Sequence, residues 1–179
     1  MMHTTIHESP LGALTLAATE VGLCGLWLPG QKYHGAGLLA GAAEAPDLPI
    51  FTAAKQWLNR YFAGENPGLD GLSLGPIGSP FRQMVWARLL EIPYGETITY
   101  GQLGRQVAMQ MGRATMSAQA IGGAVGHNPI SIIIPCHRVV GAAGSLTGYA
   151  GGIAAKLHLL GLEGADVSAF TIPKKGTAL

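Results

Sequence analysis

The sequence predicts an α+β protein in two parts, a strand-rich N-terminal region closed by one helix and a mainly helical C-terminal region. Short apolar and β-branched runs separated by Pro and Gly fill the first thirty or so residues. From Pro49 the apolar period changes to that of a helix. A segment carrying Pro67, Gly68, Gly71, Gly75, Pro76 and Gly78 then separates this region from a series of short, capped helices.

The runs 4–7, 14–18 and 23–28 read as strands, with Ser9-Pro10-Leu11-Gly12 and Glu20-Val21-Gly22 as the turns of a β-meander. Residues 30–47 are Gly/Ala-rich and read as a mobile loop. Phe51, Ala54, Trp57, Leu58, Tyr61 and Phe62 recur at helical spacing until Gly64 stops the pattern. Residues 1–66 are thus an α+β domain, 67–78 a linker, 79–168 a second domain and 169–179 a flexible tail.

Ser79-Pro80 is an N-cap followed by proline at the first helical position, with Phe81, Met84, Val85 and Leu89 as the apolar stripe. Thr99-Tyr100-Gly101-Gln102 is a capping box that opens a helix with Leu103 and Val107 inward. Residues 117–126 follow as a short helix, and the two together resemble a helix-turn-helix. Gly122-Gly123 costs this helix roughly 1 kcal/mol per glycine against alanine. Either another helix packs closely there or a nucleic-acid backbone approaches. Residues 131–134 read as a buried strand leading into Pro135-Cys136, and Ile153, Leu157 and Leu160 mark a last helix that reaches Glu163.

The chain is 48% hydrophobic and only 12% charged, which excludes intrinsic disorder. No apolar run approaches the roughly 20 residues of a membrane span, and the polar N-terminus lacks a secretory pattern. A reducing, cytoplasmic setting without a membrane partner follows as the expectation. Cys24 and Cys136 show no zinc spacing, so no metal is expected. No glycine-rich stretch has the strand-then-helix context of a nucleotide cofactor, and no cofactor is expected either. Residues 1–75 carry three basic against six acidic side chains, and 76–179 carry eight against four. Any polyanion would be met by the second half.

The chemistry-bearing cluster is Pro135-Cys136-His137-Arg138-Val139. A cysteine is either a buried packing residue or a nucleophile that needs something to take its proton. His137 is adjacent, but neighbours on an extended segment point to opposite faces, so it would act through a bridging water. Glu163 is the best acidic candidate in the second half to fix the other ring nitrogen.

Pro135-Cys136-His137-Arg138-Val139 resembles the active-site signature of the O6-alkylguanine-DNA alkyltransferases. The resemblance extends through residues 92–100, 122–129, 148–152 and 156–164, covering about 79 to 165, and is much weaker in the N-terminal part. It implies an RNase H-like N-terminal domain and a DNA-binding helix-turn-helix. It also implies direct-reversal repair, with the alkyl group of O6-alkylguanine, and of O4-alkylthymine, moved irreversibly from duplex DNA to Cys136. The base would be flipped out of the duplex. Tyr100 would donate to guanine N3 and the Ala150 N–H to O6, Tyr149 would wall the pocket, and the carbonyls of Cys136 and Val139 would accept from the exocyclic amine. Asn128 would tie the helix-turn-helix to the active-site strand. Gln119, Ala120, Gly122, Gly123 and Arg138 would meet the DNA, with Gln119 standing where well-known members carry an inserting arginine. The protein is expected to act as a monomer, with room for clustering along DNA. Two other readings are a lesion-binding relative, which would lack the cysteine, and a helix-turn-helix regulator.

Overall fold

The computed structural model describes residues 1–35 and 38–173. It divides into two compact units, Met1–Ile77 with Pro129–Ser131, and Gly78–Asn128 with the chain from Ile132 onward.

In the first unit, β1 (His3–Ser9), β2 (Gly12–Thr19) and β3 (Gly22–Trp27) form an antiparallel meander in the order β3-β2-β1-β4. The fourth strand, β4 (Ala43–Glu44), runs parallel to β1 through His3 and Thr4. It lies in the segment expected to be a loop, where two residues of pairing leave no periodic signal; Ala36 and Gly37 of that segment are outside the described residues. The helix α1 (Pro49–Phe62) starts with proline in its first turn and buries Phe51, Ala54, Leu58 and Tyr61, a stripe at the spacing of one helical face.

The segment 67–78 is more than a linker. Leu23 donates its N–H to the Ser73 carbonyl, Gly75 donates to the Leu23 carbonyl, and Leu72 is buried. Gly22 is required here: its φ is +150° and a Cβ would stand 2.5 Å from Ser73 O. Further along the same edge of β3, the one not facing β2, Pro129–Ser131 pairs with it through Leu26 N–H to Pro129 O (2.8 Å) and Ser131 N–H to Leu26 O (2.9 Å).

In the second unit, Ser79 caps α2 (Pro80–Leu89) by accepting the Arg82 N–H. Thr99 and Gln102 form the expected capping box on α3 (Tyr100–Gln110), and Ser117 caps α4 (Ala118–Gly126). Val85, Trp86 and Leu89 of α2 are buried, as are Leu103 and Val107 of α3 and Ile121, Ala124 and Val125 of α4. Trp86, absent from the expected stripe, outweighs Phe81 and Met84: it is buried, and its indole N–H donates to Ala124 O at 2.8 Å. A parallel pair, β5 (Ile98–Thr99) and β6 (Val139–Val140), joins the start of α3 to the chain just past Cys136, and α5 (Ile153–Leu162) closes the unit.

Residues 131–134 are not a strand. The chain turns there with Ile132 at φ +72°, a costly conformation for a β-branched residue. Residues 169–173, expected to begin a loose tail, are held by Leu146 N–H to Thr171 O and Thr171 N–H to Gly144 O. Phe170 packs against Val140, Leu146 and Leu160. The rest of the expected tail, 174–179, lies outside the described residues. Among the described residues no helix is long and apolar enough to cross a membrane.

Candidate active site

Pro135 ends the turn and Cys136–Arg138 forms a short 3-10 helix, so the thiol sits on a tight turn rather than on the extended segment expected. Cys136 is 5% exposed. The Asn128 amide nitrogen donates to Ile134 O at 2.7 Å and to Cys136 Sγ at 3.1 Å, tying the end of α4 to the nucleophile's turn. Burial pushes the Cys136 thiol up, opposed by the Asn128 hydrogen bond, the Lys156 charge and nearby backbone N–H groups. The resting side chain is therefore a thiol, which must lose its proton as it reacts.

His137 is fully buried and its Nε2 lies 2.6 Å from Glu163 Oε1. The same carboxylate accepts from Arg138 Nε (2.8 Å), Arg138 Nη2 (3.0 Å) and the Gly95 N–H (3.2 Å). Gly95 is a second required glycine, with φ +79° and a Cβ position 2.7 Å from Glu163 O. Arg138 also donates to Ile92 O at 2.6 Å and lies 5.7 Å from the Tyr94 ring centre. It was expected to meet DNA; instead both edges of its guanidinium are committed inside the fold.

Burial lowers the His137 pKa below 6.5, against the opposing pull of Glu163, so the ring is neutral at neutral pH. A neutral ring donates Nε2–H to the carboxylate and keeps a lone pair on Nδ1. Nδ1 is buried without a hydrogen-bond partner among the described residues, and so is the Tyr149 hydroxyl. The ring centres of His137 and Tyr149 are 6.5 Å apart, edge to face.

The lowered His137 pKa has a measurable effect. As pH falls below the unfolded value of 6.5, the unfolded chain takes up a proton that the folded chain refuses. This stability is complete above that value and is lost progressively as pH drops toward the depressed folded pKa. His7, also lowered by burial, acts in the same direction. The melting temperature should be level between about pH 7 and 8 and decline below about 6.5, and His137→Asn should make the decline shallower. A melting temperature level down to pH 5 would contradict it.

Lys156 was not expected in the site. It is fully buried on α5, and its Nζ donates to Val139 O (2.5 Å) and Thr147 O (3.2 Å). Burial lowers its pKa to about 8, with the Cys136 charge pulling it back up. The sequence held a signal, since Lys156 shares the inward stripe of Ile153 and Leu160 on an otherwise apolar helix. Val139 O, expected to face a base, thus already has one donor.

Tyr100 opens α3, and its hydroxyl donates toward Gly148 O (3.2 Å) and Thr147 O (3.4 Å). Burial raises its pKa well above the ordinary phenol range. Tyr149 is buried and Ala150 half-buried in the turn that precedes α5. On α4, Gln119 is exposed, Ala120 half-buried, and Gly123 has open space where a Cβ would be. Gly122 is buried in α4 beside Ile121, Ala124 and Val125. Cys24 is buried in β3 against Ala17 and Trp27.

Comparison with known proteins fits this geometry. The model of the 6-O-methylguanine DNA methyltransferase DNA binding domain matches residues 80–165, and that of the ribonuclease-like domain matches residues 1–75. The chain belongs to the 6-O-methylguanine DNA methyltransferase family. The methylated-DNA–protein-cysteine methyltransferase of Mycobacterium tuberculosis H37Rv is 45% identical over 163 residues, covering 91% of this chain and 93% of that protein. The enzyme of the same name from Methanosarcina acetivorans is 41% identical over 169 residues, covering 91% and 99%. Among solved structures, M. tuberculosis OGT in complex with DNA superposes with a TM-score of 0.78 at 43% identity, covering 94% of each chain. The ribonuclease-like match falls within the first unit, and the DNA-binding match within the second except for Pro129–Ser131.

Proposed function

We propose that the protein repairs alkylated DNA by direct reversal, transferring the alkyl group of O6-alkylguanine in a duplex to Cys136 in a single turnover. The observation that carries this reading is the buried chain of contacts from Arg138 through Glu163 to His137, next to a Cys136 whose Sγ accepts from the Asn128 amide. In the step, the S–C bond forms as the C–O6 bond breaks, and the electron pair of that bond stays with the guanine, which takes a proton from water while the imidazolium left on His137 returns its own to solvent. The thiol proton leaves toward His137 Nδ1, the buried ring nitrogen with a free lone pair, through a bridging water. Glu163 fixes the tautomer that makes this possible and stabilises the imidazolium that forms. Tyr100 donates to the leaving base, the Ala150 N–H faces O6, and Tyr149 walls the pocket. Asn128 holds Sγ in place, while Lys156 offsets negative charge on sulfur during transfer.

The test is direct. Incubation with a duplex containing O6-methylguanine should add one methyl to the intact protein, and absence of that gain on the wild type removes the reading. The exposed Gln119 brings no charge to the tip of α4, so base flipping should be weaker than with an arginine there. Gln119→Arg should raise duplex affinity and repair rate several-fold, by about the 1 kcal/mol that separates a charged from a neutral hydrogen bond. Unchanged affinity and rate would discard that idea.

A further inference from the structure

No Asp or Glu falls between Glu96 and Glu163. The cations within that stretch are Arg105, Arg113, Arg138 and Lys156. Arg138 is spent on Glu163 and Ile92 O, and Lys156 on two carbonyls. Arg105 and Arg113 are left exposed, and no described carboxylate pairs with either.

Arg105 borders a cleft between the first half of α3 and the start of α4, with Tyr100 and Gly101 on one side and Thr115, Met116 and Ala118 on the other. Its Nη1 is 3.7 Å from the point where a Cβ on Gly101 would stand, so the guanidinium folds back over the first turn of α3 beside Tyr100. The cleft measures about 190 Å³ and is lined mainly by apolar surface. Sites for whole small ligands usually start near 300 Å³. A space of this size, greasy inside and cationic at its rim, suits one unit of a polymer: a deoxyribose against Met116 and Ala118 with its phosphate on the guanidinium.

We propose that this cleft is a subsite for one sugar–phosphate unit of the duplex, with Arg105 as the phosphate ligand. The inference rests on the repair function proposed above and extends it. Tyr100 belongs to the cleft by its place in α3 and to the base pocket by its hydroxyl, so the unit held there adjoins the extrahelical nucleotide. Arg105 thereby supplies, on the backbone side, the positive charge that Gln119 does not supply inside the helix. Arginine suits the role because its fork meets two phosphate oxygens at once.

The experiment compares wild type, Arg105→Ala, Arg105→Lys and Arg60→Ala on two substrates, an O6-methylguanine duplex over a range of salt and the free base O6-benzylguanine. Arg60 is exposed, paired with Glu65 in the first unit and not part of the cleft's lining, so it serves as an equal charge change. Arg105→Ala should react with duplex about tenfold more slowly. Its log–log salt dependence should be shallower by about 0.9, the signature of one lost phosphate contact. Its reaction with free base should be unchanged. Arg105→Lys should restore the salt slope and only part of the rate. An unaltered slope in Arg105→Ala, an equal change in Arg60→Ala, or an equal loss on free base would each overturn the subsite. A wild type that accepts an alkyl group from neither substrate would instead overturn the repair reading on which the subsite rests.

Discussion

Cys136→Ala should fold, keep its affinity for duplex DNA and accept no methyl group at all. The fold should survive because the substitution removes one sulfur from a 5%-exposed site. The Asn128 amide keeps its bond to Ile134 O, so no buried donor is stripped of its only partner. A cost of about 1 kcal/mol is expected, the common value for a point change without a lost network. Transfer should vanish because no second nucleophile can take over. Cys24 is buried in the other unit with its pKa raised by burial, and among the described residues no imidazole–carboxylate pair adjoins it. Cys136→Ser should fail as well, since a hydroxyl is far harder to deprotonate than a thiol and a weaker nucleophile toward saturated carbon. Intact-mass measurement on Cys136→Ala, Cys136→Ser and Cys24→Ala decides this: methyl gain should appear only in the last. Gain on Cys136→Ala would place the acceptor elsewhere in the chain.

Much of this architecture could be read from the sequence, and the exceptions share a cause. The strands of the meander and the caps at Ser79 and Thr99 are local features, set by period and by side chain–backbone chemistry within a few residues. The two-residue strands β4, β5 and β6 are set by partners far along the chain, and two residues hold no period. Cys136, His137 and Glu163 were legible as residue types whose chemistry needs one another. The place of Arg138 was not, because a surface arginine and one gripped by a buried carboxylate look alike in a sequence. Lys156 was hidden for the opposite reason: a lysine is presumed solvated until both its helix face and the carbonyls above it are known. Gly122 and Gly123 left two readings open, and the structure divides them, one glycine packing inward and the other facing open space.

Glu163→Ala should be the most destabilising single change in the site. The carboxylate side chain is fully buried and accepts from His137, from Arg138 twice and from the Gly95 N–H. Removing it leaves a guanidinium that is 11% exposed without its counter-charge and an imidazole N–H without an acceptor. Stripping one partner from a buried ion pair typically costs about 3–5 kcal/mol, because the other charge stays desolvated. For a chain of this length that corresponds to a fall in melting temperature of roughly 10 °C. Glu163→Gln separates charge from shape. Its amide oxygen can still accept from Arg138 or Gly95, but its NH₂ group meets donors already in place, so the loss should be smaller yet clear. Glu163→Ala removes the acceptor that fixes the His137 tautomer, and Glu163→Gln can present either its oxygen or its NH₂ group to Nε2, so in both variants Nδ1 is no longer assured as the proton acceptor. The repair rate of Glu163→Gln at a temperature where it remains folded should therefore drop by about ten- to a hundredfold, less than the 10²–10⁴ credited to a complete general base. Calorimetry and single-turnover methyl transfer on the same preparations test both halves. If Glu163→Ala melted within a degree or two of wild type, Arg138 would have found solvent or another acceptor. These contacts would then be a consequence of the fold and not one of its supports.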